Sequence, residues 1–190
     1  MSAVRETLEG YLTADPAAHA GPRRAAALPR AASPGRKSRP RPGKPLVTAT
    51  DRSIELINAA AQAAADKLAH DIIAYDVSDV LSITDAFLLA SAPNDRQVKS
   101  IVDEIEERLS KDLGVKPVRR EGDREARWVL LDYVDIVVHV QHSEERVFYA
   151  LERLWKDCPE IDLPEEAKAT RGKAAAHAEA TAGERDGELH

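Results

Sequence analysis

Trp128-Val129-Leu130-Leu131-Asp132-Tyr133-Val134-Asp135-Ile136-Val137-Val138-His139-Val140 contains two nearly continuous apolar runs, 128–131 and 136–140, parted by a short segment with Asp132 and Asp135. A strand with one wet face alternates apolar and polar residues, so runs with so little alternation predict central strands covered on both faces. Before them, Val115 to Glu121 reads as an edge strand, because Pro117 has no N–H to donate to a ladder. After them, Ser143 with Glu144 and Glu145 opens a helix, since acids favour the positive end of its dipole. That helix would bury Val147, Leu151, Leu154 and Trp155.

Upstream the period is different. Ile54, Ile57, Ala61, Ala64 and Leu68 recur at three- and four-residue spacing and predict a helix over 51–69. The apolar runs 71–77 and 85–91 read as strands, the first ending in Ser78-Asp79 and the second stopped by Pro93. Asn94 then N-caps a helix with Gln97 as capping-box partner, and Gly114 stands at its C′ position. Val98, Ile101, Val102, Ile105 and Leu109 make its apolar stripe, while Lys99, Asp103, Glu104, Glu107 and Lys111 face water. The order helix, strand, strand, helix, three strands, helix predicts an α/β (α+β) fold with a single mixed β-sheet flanked by helices.

Charge divides the chain further. Residues 1–50 carry nine basic and three acidic side chains, a net +6, and seven of the eleven prolines lie between Pro16 and Pro45. Proline removes donors and fixes φ, so 1–49 is expected to be a disordered basic arm. Its Ala/Arg/Ser-rich part also looks like an organellar transit peptide, against which stand Glu6, Glu9 and Asp15; an over-extended start near Val47 is a third reading. Residues 165–190 hold six acids and four bases and are expected to form a mobile, Ala-rich charged tail. Of the total charge of -6 this leaves -10 for the middle segment 51–164. Such a domain repels nucleic acid and suits a basic protein partner. There is no apolar run approaching ~18 residues and no secretory h-region, which points to a cytoplasmic protein without a membrane span. A single cysteine, Cys158, excludes an internal disulfide framework.

Phosphate-cradling loops need glycine, because backbone N–H groups must reach the phosphate without a Cβ in the way. Between 51 and 164 the only glycines are Gly114 and Gly122, so Walker and dinucleotide-binding loops are absent. His139 and His142 lie three apart on a strand, which sends them to opposite faces, and a structural histidine is favoured over a metal ligand. Asp76, Asp79, Asp85, Asp132 and Asp135 all fall at predicted strand ends, where a two-metal phosphoryl-transfer site would place its acids. The plainer reading is that aspartates end strands and begin turns.

Several motifs stand in one order: Thr84-Asp85-Ala86-Phe87, Arg96-Gln97-Val98, Glu121-Gly122, the 128–140 block, Glu145-Arg146 with Phe148-Tyr149, and Leu151-Glu152-Arg153-Leu154-Trp155. Together they resemble the ribosomal silencing factor (Iojap) family over residues 51–160. The resemblance implies a nucleotidyltransferase-like fold without the catalytic motif, no enzymatic activity, no cofactor and no metal. It also implies a translational repressor that binds the large ribosomal subunit through its protein fourteen and blocks joining with the small subunit. Formation of 70S ribosomes would fall mainly under nutrient limitation, and the free protein would be a homodimer. By motif match the contact surface comprises Trp128, Leu130, Asp132, Tyr133 and Asp135, with Arg96 and Gln97 as further members. Trp128, Leu130 and Asp132 alternate onto one strand face, so a Trp anchor and an acid would point at one partner, and Trp128→Ala should stay folded but lose binding.

Three positions depart from the family pattern. Val134 stands in place of glycine, so a tight turn with positive φ meets the resistance of a β-branched residue. Ala86 replaces an aromatic and Gln141 a phenylalanine, which trims apolar contact area. Two rival functions remain: a nucleotidyltransferase-like metal-dependent enzyme using Asp76, Asp79 or Asp132, and a nucleic-acid binder working through the basic arm. The resemblance itself implies no direct sequence-specific nucleic-acid binding.

Overall fold

The computed structural model describes residues 48–122 and 125–173, and Glu6 besides. The expected basic arm lies outside the described residues except for Thr48, Ala49 and Glu6, and so does the chain beyond 173.

Helix α1 (Asp51–Asp66) begins at Thr50, whose hydroxyl accepts the Ser53 N–H at 3.2 Å. It buries Leu56, Ile57, Ala60, Ala61, Ala63 and Ala64. Small alanines let it lie close on the sheet. The helix stops earlier than the expected 69: Leu68 turns left-handed (φ 57°) and points outward. The Ala69 N–H then reaches the Ala64 carbonyl at 3.0 Å and the Leu68 N–H the Ala65 carbonyl at 2.9 Å, a Schellman closure without glycine.

Strands β1 (His70–Asp76) and β2 (Ala86–Ala92) follow, then helix α2 (Asp95–Leu113). The Asn94 side chain caps α2 by accepting the Gln97 N–H at 2.9 Å, and Gly114 ends it left-handed at φ 66°. Its buried residues are the five of the predicted stripe, Val98, Ile101, Val102, Ile105 and Leu109. The capping box is only half formed, because the Gln97 amide instead donates to the Lys67 and Leu68 carbonyls at 3.1 and 3.0 Å. It thereby closes the frayed end of α1.

β3 (Arg119–Gly122), β4 (Trp128–Asp132) and β5 (Ile136–His142) complete one five-stranded sheet of order β1-β2-β5-β4-β3. β2 and β5 pair in parallel and every other pair is antiparallel, so the sheet is mixed. β3 is an edge strand as expected, but Pro117 lies outside its ladder. The other edge, β1, is covered: Asp76 N–H donates to the Pro159 carbonyl, Ile161 N–H to the Ala74 carbonyl, and Asp71 N–H to the Thr170 carbonyl. Residues 165–173 are therefore not a free tail as expected. Helix α4 (Glu165–Lys168) buries Ala167, and buried Thr170 also accepts the Ile72 N–H on its hydroxyl at 3.0 Å.

Alternation along the strands splits the core in two. Ile72, Ala74, Ala86, Leu88, Ala90, Val129, Leu131, Ile136, Val138 and Val140 face α1 and α2. Phe87, Leu89, Trp128, Leu130 and Val137 face the opposite side, under Leu151 and Trp155.

The last helix departs from expectation. α3 (Ser143–Tyr149) is capped by the Nδ1 of His142 rather than opened by Ser143 as a cap, and it breaks at Ala150, which is left-handed at φ 44°. A 3-10 turn, Leu151–Arg153, continues the chain. Of the four residues expected on its buried face, Leu151 and Trp155 are buried but Val147 and Leu154 are exposed. The cause is Arg146: its guanidinium is buried, donating to the Asp71 carbonyl at 2.9 Å and to Glu152 at 2.5 Å. That anchor sets the rotation of α3, and only a kink lets Leu151 and Trp155 reach the sheet.

Candidate partner-binding surface

The β4–β5 turn is held by its own backbone, by the Asp132 side chain and by the Thr84-Asp85 segment behind it. Tyr133 N–H donates to the Ile136 carbonyl and Asp135 N–H to the Tyr133 carbonyl, both at 2.9 Å. The Asp132 carboxylate accepts the Val134 N–H at 2.8 Å, and Val134 takes φ 73°. Thus the turn has the left-handed residue that glycine would supply at no cost, held in place by an aspartate side chain despite β-branching.

From behind, the Thr84-Asp85 motif clamps this turn. The Asp135 carbonyl accepts the Asp85 N–H at 2.9 Å and the Thr84 hydroxyl at 3.0 Å. The Asp85 carboxylate accepts the Ser53 hydroxyl at 2.7 Å and the Thr50 hydroxyl at 3.0 Å, tying the same point to the start of α1. Asp76 works likewise, accepting the N–H groups of Thr48, Ala49 and Ser78 and the Ser78 hydroxyl. Burial pushes its carboxyl up, but the Ser78 hydroxyl and these amides outweigh that and leave it below its ordinary value. These acids, read from the sequence as metal-site candidates, are engaged in turns. Among the described residues no group of three or more His, Cys, Asp or Glu is placed to hold a metal ion.

The expected contact residues do not share one surface. Asp135 is exposed and Asp132 half-buried at the turn. Trp128, by contrast, is only 2% exposed and Leu130 is fully covered. They do alternate with Asp132 onto one sheet face as expected, but Tyr149, Leu151 and Trp155 lie over that face. The ring centroids of Trp128 and Tyr149 are 4.8 Å apart. Tyr133 is a further correction: it turns into the opposite core, towards α2, and burial raises its phenol above the ordinary range. Arg96 is exposed and Gln97 half-buried, but both start α2 just after β2 ends at Ala92. The Asp132–Asp135 turn meets β2 at its first residue, Ala86, which pairs with Ile136. Seven residues of strand separate the two places, roughly 20 Å at ~3.3 Å per residue. Arg96 and Gln97 therefore belong to another end of the molecule, and Gln97 has a structural task there.

What the turn gathers instead is apolar. Val118 and Val134 are both exposed large side chains, and the Val118 N–H donates to the Asp132 carbonyl at 2.8 Å. Val118 carries no sequence signal of this role, because only the β3–β4 pairing brings it beside the turn. This brings two exposed valines, Val118 and Val134, to the same end of the sheet as exposed Asp135 and half-buried Asp132.

His139 has no free face. It is wholly buried, its Nδ1 accepts the Trp128 indole N–H at 3.2 Å, and desolvation lowers its pKa to about 3. It is a neutral core side chain, consistent with the structural reading, and His142 is spent on capping α3.

Comparison with known proteins now bears on this geometry. Residues 50–188 match the family model described as "Ribosomal silencing factor during starvation". The ribosomal silencing factor of Bacillus subtilis strain 168 is 43% identical over 108 residues, 57% of this chain and 91% of the relative. The chloroplastic protein Iojap of Zea mays is 30% identical over 128 residues, 65% of this chain and 54% of that one. A crystal structure of a Chromobacterium violaceum protein is similar with TM-score 0.51 and 35% identity, covering 54% of this chain and 84% of that one. Another, from Bacillus halodurans, has TM-score 0.50 and 37% identity, covering 57% of this chain and 98% of that one. With the mixed sheet, the Thr84-Asp85 clamp and the family model agreeing over the same stretch, the chain belongs to the ribosomal silencing factor family.

Proposed function

We propose that the protein silences translation by binding the large ribosomal subunit through its protein fourteen, so that the small subunit cannot join and 70S formation falls, mainly under nutrient limitation. The family match over residues 50–188 carries this reading. Its chemistry is supported by the exposed Val118, Val134 and Asp135 on a domain of charge -10, counted over 51–164, since an acidic surface with an apolar centre complements a basic ribosomal protein. Asp132 and Asp135 remain the proposed contacts at the turn. The reading includes a non-enzymatic role, a homodimeric free state and a cytoplasmic location. No helix among the described residues is long and apolar enough to cross a membrane.

Co-sedimentation tests the reading. The purified protein should travel with large subunits and reduce joined ribosomes when small subunits are added; a protein that stays at the top of the gradient at low and moderate salt would end it. Deleting residues 1–46 separates this reading from a nucleic-acid binder acting through the basic arm, which would lose association on deletion. The cut leaves Thr48 and Ala49 in place, because their N–H groups hold Asp76.

A further inference from the structure

Two connections meet at one end of the sheet, and both are acidic and partly apolar. The β1–β2 connection, residues 77–85, and the β4–β5 turn, residues 132–135, hold Asp79, Asp85, Asp132 and Asp135 and no Lys, Arg or His. They are joined, because the Asp135 carbonyl accepts the Asp85 N–H and the Thr84 hydroxyl. Val80, Ile83 and Val134 on these connections are exposed, and so are Asp79 and Asp135. Large apolar side chains left in water at one end of a domain mark a surface that something covers. The cations flanking Val118, Lys116 and Arg119, belong to the opposite edge at β3, where Arg119 is paired with Glu121 at 3.3 Å. On the β1 side, where Pro159 meets Asp76, Lys156 is matched by its neighbour Asp157.

Thr48 fixes where the chain before it must lie. Its N–H donates to the Asp76 carboxylate, and its hydroxyl is 2.8 Å from that of Ser78, two residues before Val80. Leading into this anchor is Arg36-Lys37-Ser38-Arg39-Pro40-Arg41-Pro42-Gly43-Lys44-Pro45-Leu46-Val47, with five cations, no acid, and two apolar residues next to Thr48. Its prolines favour extended backbone, which lowers the entropy lost on docking. At ~3.3 Å per extended residue, Lys44 reaches roughly 13 Å from Thr48 and Arg41 roughly 23 Å. Strands lie ~4.8 Å apart, so the β4–β5 turn is roughly 10–14 Å across the sheet from β1. Both cations therefore reach the turn without disturbing the anchor.

We propose that residues 36–47 dock on this end of the sheet, Leu46 and Val47 against Val80 and Ile83, and Lys44 and Arg41 against Asp79 and Asp135. Complementary charge selects this occupant, and the tether at Thr48 supplies it at an effective concentration of roughly millimolar, so that individually weak ion pairs suffice. The docked arm covers the turn assigned above to the ribosomal protein and competes with that basic partner for the same carboxylates. This masking rests on the ribosome-binding reading; the docking does not.

The test compares two full-length chains, one with the native arm and one neutralised by Arg36→Gln, Lys37→Gln, Arg39→Gln, Arg41→Gln and Lys44→Gln. Both carry Cys158→Ser and a nitroxide on Ser38→Cys. Amides of 79–83 and 132–135 should relax at least threefold faster under the label in the basic form, and 1 M salt, where the screening length falls to about 3 Å, should abolish the difference. Equal relaxation in the two forms overturns the docking. Relaxation just as strong on the outer face of α2, at Asp103 and Glu107, overturns its location. With Ser38 and Cys158 restored and no label, the neutral form should associate with large subunits at least threefold more tightly than the native chain. Equal association overturns the masking, and weaker association overturns it by assigning the arm's cations to ribosomal RNA phosphates. If neither form sediments with large subunits, the ribosome-binding reading falls and the masking with it, while the relaxation comparison still decides the docking.

Discussion

The Trp128 indole donates its N–H to Nδ1 of His139, 3.2 Å away on the neighbouring strand, and both side chains are sealed from solvent. The bond satisfies the acceptor nitrogen of a buried, neutral histidine, while its Nε2 has no partner among the described residues. Phe87 supports the pair from β2, with its ring edge-on to His139 at 5.6 Å and to Trp155 at 5.0 Å. Any change at Trp128 is therefore felt in the core before it is felt at a partner.

Trp128→Ala should destabilise the fold by about 3–5 kcal/mol, the range for removing a large buried aromatic. Trp128→Phe keeps most of the volume but orphans His139 Nδ1, and should cost about 1–3 kcal/mol. Urea unfolding followed by circular dichroism measures both. A change under about 0.5 kcal/mol for the alanine variant would return Trp128 to the surface role that the motif match implied.

Val134→Gly should stabilise the protein. A β-branched residue at φ 73° carries a left-handed penalty of about 1–2 kcal/mol, and glycine's greater unfolded-state entropy offsets roughly half of that or less. A gain of about 1 kcal/mol, seen as a rise of several degrees in Tm, is expected. No rise would mean that the Asp132–Val134 bond already removes the strain.

His139 makes stability depend on pH in one direction. Its folded pKa, about 3, lies below the ordinary value of 6.5, so between these values the unfolded chain binds the proton and the folded chain does not. Stability should therefore fall as pH drops from 6.5 towards 3, with a slope approaching about 1.4 kcal/mol per unit, the value for one proton. Asp76, held below its ordinary value, adds to the loss only as pH falls into the carboxylate range. His139→Phe should flatten the pH 4–6 slope by about one proton; an unchanged slope in denaturation curves would refute the assignment.

Asp135→Lys should weaken large-subunit association by about tenfold or more, because it reverses a charge facing a basic partner. Its side chain is exposed, and the Asp135 contacts that hold the turn use its backbone carbonyl. Melting should shift little. Unaltered co-sedimentation would move the contact away from this turn, and a large loss of stability would make the binding result uninformative about the surface but would contradict the backbone-only role.

Periodicity and turn chemistry were local enough to be read from residues alone. The stripe Val98–Leu109 emerged as the buried side of α2, Asn94 and Gly114 mark its ends, and the 128–131 and 136–140 runs are strands inside the sheet. Asp76, Asp85 and Asp132 proved to be turn and clamp residues because a carboxylate beside backbone N–H groups and hydroxyls accepts from them.

Local pattern does not say what covers a face, and there the tertiary structure decided. The 128–135 block determined a strand and a turn by itself, but Trp128 and Leu130 left the surface only because Arg146, anchored to the carbonyl of Asp71, turns α3 and brings Leu151 and Trp155 down on them. Tyr133 went to the opposite core, and Val118 reached the turn through the β3–β4 register. Each of these outcomes depends on contacts between residues far apart in the chain, whose energies exist only once the sheet has closed and one side of it has found its cover.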